Sequence, residues 1–228
     1  MRLSTFKRSC ALRPLRAKLR QWRDKSGVAA VEFAMILPLF VSMGLVGTEV
    51  AYMSTVNMQV SQIALTLADN ASRLGQTDNS SVTPTVSESD IDSIMIGAMQ
   101  QGASIDLAQN GRVILSSLEY DDFTGRQYIH WQRCRGNFDK VSAYGDEGSR
   151  NGLTGTPITG VGSDTVRITA EPGSAVMVVE VYYDYDGLFT NLLPSTPTFR
   201  QEAILGIRDD RNLTPGVTGS GGNSDCDD

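Results

Sequence analysis

At 228 residues the chain has room for one domain with a real core plus a membrane segment, and little left for a second domain. Its formal net charge of −6 conceals a split: residues 1–25 carry nine Lys or Arg against Asp24 alone, and the remainder carries eleven against twenty-five Asp and Glu. The acidic body and the scarcity of aromatics in the basic arm (Phe6 and Trp22 only) argue against nucleic acid as a partner, and three widely spaced cysteines do not make a metal site.

The basic arm, with Arg2, Lys7, Arg8, Arg13, Arg16, Lys18, Arg20, Arg23 and Lys25, directly precedes an apolar run, so the positive-inside rule keeps it cytoplasmic and sends the acidic body across the membrane. The run from Phe33 to Thr48 is uncharged and slightly short for a span of about twenty residues. It therefore borrows Val28 to Val31 at one end and Val50 to Tyr52 at the other, enclosing Glu32 near one interface and Glu49 near the other. A conventional secretory signal would be followed by an A-x-A-like site, and Gly47-Thr-Glu-Val-Ala-Tyr-Met offers no good version. Pro38 removes one helix hydrogen bond and is expected to bend or loosen the span locally.

A carboxylate at the edge of a membrane segment is costly unless paired, which makes Glu32 a functional candidate. A cut after Gly27 would give Val28 a new α-amino group and make Glu32 the fifth residue of the mature chain. The bland alternative is a glutamate that snorkels to the interface with no role in assembly. Beyond the membrane, Met53, Val56, Val60, Ile63, Leu67, Ala71 and Leu74 recur three or four apart, which continues the helix with one apolar stripe. That stripe is expected to pack on the chain's own domain, although packing on copies of itself has the same periodicity.

Gly27-Val-Ala-Ala-Val-Glu32-Phe33, followed by Ile36-Leu-Pro38-Leu, resembles the start of TadE-like proteins, minor pilin or pseudopilin components of the tight-adherence (Flp) pilus machinery. The resemblance implies that a prepilin peptidase cuts between Gly27 and Val28, and that Glu32 is the motif glutamate which pairs charge during assembly. It also implies other pilin or pseudopilin subunits as partners. Trp131-Gln-Arg-Cys134-Arg-Gly136 and Val176 to Tyr185 are similar to later stretches of such proteins, whereas Gln76 to Asn110 and Gly145 to Asp164 match nothing recognisable. A leader of twenty-seven residues is long for a type IV prepilin.

After Leu74 the Gly-, Thr-, Asn- and Ser-rich composition marks a linker, and Ser87-Glu-Ser-Asp90 marks a helix start, with Ile91, Ile94, Met95 and Ala98 on one face and Gly102 at the end. Strand-like runs follow at Arg112–Tyr120, Gln127–Cys134, Asp164–Ala170, Ala175–Tyr185 and Phe199–Ile207. The first two are expected to form a hairpin across Asp121–Gly125, and the last two to pair across Asp186–Thr198. Alternation puts Val176, Val178, Glu180, Tyr182 and Asp184 on one face, with Met177, Val179, Val181, Tyr183 and Tyr185 on the core side. Gly145 to Gly162 lacks the Gly-Lys-Ser/Thr end of a phosphate loop and reads as a surface loop. The tail from Arg211 reads as disordered or loosely attached.

Cys134 and Cys226 lie in the part expected to face an oxidising compartment, which allows a disulfide between them; a mixed disulfide and two free thiols are the alternatives. No catalytic residue, cofactor or metal is expected. His130 is the only histidine and reads as structural or surface, and the acidic pairs lack the ligand number and turn glycine of a calcium loop.

The expected architecture is α+β and pilin-like: a long N-terminal membrane-spanning helix that continues into an exterior domain with an antiparallel β-sheet. The expected divisions are a basic cytoplasmic leader (1–27), a transmembrane and amphipathic helix (28–75), an exterior domain (76–210) and a flexible acidic tail (211–228). The expected role is that of a non-enzymatic, single-pass protein of the bacterial inner membrane, taking part in pilus biogenesis. The alternative is a membrane-anchored envelope binding or scaffold protein outside any filament.

Overall fold

The computed structural model describes residues 26–75, 83–147, 152–163, 165–189, 196–208, 210–220, 222 and 224–226. The basic leader, apart from Ser26 and Gly27, and most of the expected linker lie outside the described residues. The chain divides into two units, Met1–Thr48 and Glu49–Asp228. The boundary falls inside the long helix α1 (Ser26–Ser72).

In the first unit, every described side chain from Gly27 to Thr48 is exposed, including Phe33, Met35, Leu39, Phe40 and Met43. The helix runs through Pro38 without interruption. Two of its hydroxyl side chains turn back on their own helix: Ser42 Oγ donates to the Pro38 carbonyl at 2.6 Å and Thr48 Oγ1 to that of Gly44 at 2.9 Å. This local satisfaction is what a polar group needs where no water is at hand.

The second unit begins with the amphipathic half of α1, which buries Val56, Val60, Ile63, Ala64, Leu67, Ala68 and Ala71. The elements that follow are β1 (Val86–Ser87), α2 (Glu88–Gln101), a 3-10 turn (Ala103–Ile105), α3 (Leu107–Asn110), β2 (Gly111–Asp121), β3 (Arg126–Arg135), β4 (Val161–Ser163), β5 (Val166–Ile168), β6 (Ala175–Asp184), β7 (Thr198–Gly206) and β8 (Val217–Thr218). Ser87 caps α2 through a capping box with Asp90, and Ile91, Met95 and Ala98 form its buried face.

The main sheet is antiparallel, in the order β3-β2-β6-β7. The expected hairpin β2–β3 and the pairing of β6 with β7 are both present, and β2 lies beside β6 in the register Val113↔Val181. Met177, Val179, Val181, Tyr183 and Tyr185 face the helices together with Val113, Leu115, Trp131 and Ala203, which is the core side that alternation assigns.

Three expectations change. First, the opposite face of the sheet is also covered. Leu118, Ile129, Val176 and Val178 pack with Val161 and Ala170, and Ile114 and Tyr182 pack with Cys134 and Phe138. The Gly145–Gly162 stretch contributes to this cover rather than lying wholly at the surface. Gly152, at φ 105°, comes so close to β3 that an added Cβ would lie 1.7 Å from the Gln127 carbonyl oxygen, so only glycine fits.

Second, the ladder shifts between Ser117 and Leu118, whose partners are Trp131 and Ile129. His130 is the extra residue of a β-bulge, which turns Ile129 to the opposite face from Trp131. Third, the tail is not loose where it is described. Arg211 is buried and donates to the carbonyls of Ala71 and Ser72 at the end of α1, β8 pairs in parallel with β1, and the Cys134 amide donates to the Ser224 carbonyl at 2.6 Å. A composition of Gly and Asp conceals these anchors because each is only one or two residues long; Arg211 meets the carbonyls that every helix leaves without an intrahelical partner at its C-terminus.

Candidate functional site

The sequence-predicted site residues fall into two groups. Gly27, Val28 and Glu32 belong to the exposed half of α1. An added Cβ on Gly27 would meet nothing within 4 Å. Glu32 lies one helical turn beyond Val28, on the same side of the helix. Among the described residues, no ion pair reaches its carboxylate.

Glu49 is the opposite case. It is fully buried, and its carboxylate accepts hydrogen bonds from Tyr185 Oη at 2.6 Å, from the Leu188 amide at 3.0 Å and from the Phe189 amide at 3.0 Å. Burial first, and then the adjacent Glu49 carboxylate, holds the Tyr185 phenol well above its ordinary range, so it stays a donor. Sequence reasoning located Glu49 near an interface but not its partners, because those come from a loop far along the chain.

Cys134 and Cys226 form a disulfide, with Cα atoms 4.7 Å apart. Around it the tail is tied to β3 and α2. Arg135 Nε donates to Ser224 Oγ at 2.8 Å and Ser224 Oγ donates to Asp92, while Arg112 donates to the carbonyls of Gly136 and Cys226 at 2.8 Å each. Beside it, Arg133 is gripped by Glu88 and Glu147, and the hydrogen bond to Glu88 is the main reason its guanidinium is held above the ordinary arginine range.

On the second sheet face Glu180 is buried, and it accepts from Ser142 Oγ at 2.5 Å, the Ala143 amide at 3.2 Å and Arg200 at 2.9 Å. His130 Nδ1 lies 2.7 Å from Glu119 Oε2, and Ser117 Oγ donates to the other oxygen of that carboxylate, not to the imidazole. A nucleophile-base pair needs the hydroxyl on the imidazole, so the arrangement is a satisfied structural cluster. Among the described residues no group of three or more His, Cys, Asp or Glu is placed to hold a metal ion.

Gly27, Val28 and Glu32 thus share one exposed, apolar stretch of helix. Residues 27–69 match the TadE-like protein family. The match begins at Gly27, takes in Val28, Glu32 and Glu49, and ends within the buried half of α1. Comparison with curated proteins and with solved structures returned no match. The similarity to TadE-like proteins points to association with the tight-adherence pilus, and the apolar helix fits a single-pass membrane anchor.

Proposed function

We propose that the chain is a minor pilin or pseudopilin of tight-adherence pilus biogenesis, held in the inner membrane by residues 28–48 and cut after Gly27 by a prepilin peptidase. Its leader faces the cytoplasm and its sheet domain the extracytoplasmic side. The observation that carries this reading is the start of the TadE-like match at Gly27, on a helix whose next residues are apolar and exposed.

Cleavage would free the Val28 α-amino group one helical turn from Glu32. A carboxylate and an ammonium in apolar surroundings are each costly alone and tolerable together, so the pair sets axial register as well as relieving a penalty. The amine belongs either to the same chain or to a neighbouring subunit. The protein is then the substrate of an enzyme and not itself one. An oxidising compartment outside the membrane suits the Cys134–Cys226 disulfide.

N-terminal sequencing of protein from cells with active pilus machinery tests the reading. A mature chain beginning at Val28 is the expected result. A chain that still begins at Met1 would overturn it in favour of an anchored envelope scaffold, and a terminus beyond Thr48 would show secretory cleavage instead.

A further inference from the structure

The buried Glu49 carboxylate organises a loop that the processing site does not need. The segment Tyr185–Phe189 wraps around it: the phenol and two successive amides point at its oxygens, and Gly187 takes φ 76° with its Cα so close that an added Cβ would lie 3.2 Å from Oε1. A carboxylate that meets two consecutive backbone amides is held as an anion in a nest. The consequence lies on the outside of the loop. Leu188 is 47% exposed and Phe189 half-buried, although both are apolar.

These side chains are pinned at the level of residue 49, which by covalent connection directly follows the exposed apolar run ending at Thr48. Val50, the residue after Glu49 in the helix, is also exposed. Behind the loop stands an aromatic group: Tyr52 and Tyr185 have ring centroids 6.2 Å apart, Tyr185 and Phe199 5.7 Å, and Tyr183 and Phe199 6.5 Å. Tyr183 and Tyr185 are buried, so this group serves as a rigid floor under the loop.

We propose that the Tyr185–Phe189 loop is a second membrane contact, an interfacial anchor that seats Leu188 and Phe189 at the headgroup–acyl boundary, with Glu49 as its positioning residue. The partner is the phospholipid interface of the leaflet through which the helix emerges. The exposed Asp184 and Asp186 flanking the loop fit neutral headgroups better than anionic ones. This inference rests on the reading that residues 28–48 cross the bilayer.

The test uses the full chain in phosphatidylcholine vesicles, with Cys10→Ser so that one added cysteine carries an environment-sensitive fluorophore. Nitroxide lipids quench it from shallow or deep positions. Leu188→Cys is expected to be quenched by the shallow nitroxide about threefold more than Phe123→Cys, since an interfacial apolar group sits within about 5–10 Å of the headgroup level. Phe123 is a fit control because it is 96% exposed in the β2–β3 turn, at the far end of the sheet from Tyr183. Phe40→Cys, in the middle of the apolar run, reports the span itself through the deep nitroxide.

Quenching at Phe40 with none at Leu188 overturns the interfacial anchor and leaves the span intact; no quenching at Phe40 overturns both. Protection of Leu188 that rises with protein-to-lipid ratio would assign the loop to a second copy and overturn the lipid contact. Glu49→Ala should bring Leu188 quenching down to the Phe123 level, and Glu49→Gln, which keeps an acceptor oxygen, should restore it. Unchanged quenching in Glu49→Ala removes Glu49 from the role.

Discussion

The two halves of α1 share one helix and differ in everything around it. From Gly27 to Thr48 each described side chain is exposed, and Glu32 has no ion-pair partner among the described residues. From Glu49 to Ser72 an apolar stripe is buried, and the glutamate that opens it is held by three donors of its own chain. Backbone propensity does not distinguish the halves, because both are helical throughout. The surroundings do: Glu49–Ser72 is stabilised by its own sheet, and on the proposed function Gly27–Thr48 is left for lipid or for other subunits. Substitutions in the outer unit should therefore register as lost stability, whereas those in the inner half should register in membrane or assembly behaviour.

The largest expected stability effect is at the disulfide. It closes a loop of 92 residues, and removing such a cross-link costs about 4 kcal/mol in the chain-entropy model. The Cys134→Ser/Cys226→Ser double variant should lose about that much in denaturant melts of the sheet domain followed in detergent. A loss below about 1 kcal/mol would mean that Arg112, Arg135 and Ser224 hold the tail without the covalent bond, because hydrogen bonds of that kind are worth about 1 kcal/mol each. Membrane insertion of the variant should be unchanged, and a failure to insert would break the division between the two halves.

A smaller effect is expected at Ser87, whose hydroxyl accepts from the Asp90 amide and completes the capping box of α2. Ser87→Ala should cost about 1 kcal/mol by the same melts. A neutral result would mean that the pairing of β1 with β8 fixes the helix start without the cap.

Local signals of this kind were legible in the sequence. The capping box, the alternation of Val176 to Tyr185, and the three-or-four spacing of Val56 to Ala71 each depend on neighbours within a few residues, and each element formed where its pattern lay. Gly27, Val28 and Glu32 are candidates on the same local ground: charge, apolar run and glycine are consecutive. What was not legible depends on partners distant in sequence. Arg211 meets the end of α1, Ser224 meets β3, and the second sheet face is closed by a glycine-rich segment that composition alone marks as a loop. The bulge at His130 was invisible because a period of two cannot report one extra residue. Glu49 is the instructive miss. At the edge of an apolar run it looked like a second Glu32, and only the fold brings Tyr185 and the Leu188–Phe189 amides to it.

The smallest expected stability effect is at Glu32, and it sharpens the comparison most. Its side chain is exposed and lies outside the unit that holds the sheet, so Glu32→Ala should leave the domain's melting temperature unchanged, whereas Glu49→Ala, which strips three donors of their acceptor, should lower it. In cells the order should reverse. Glu32→Ala protein is expected to insert normally and to fail in pilus assembly, because the Val28 ammonium would lose the carboxylate that offsets its desolvation. Membrane fractionation together with counts of assembled pili measures both halves of this statement. Normal pilus numbers in Glu32→Ala cells would reduce Glu32 to a glutamate that reaches the interface by snorkelling, and a lowered melting temperature would show that the inner half of α1 shares in the domain's stability after all.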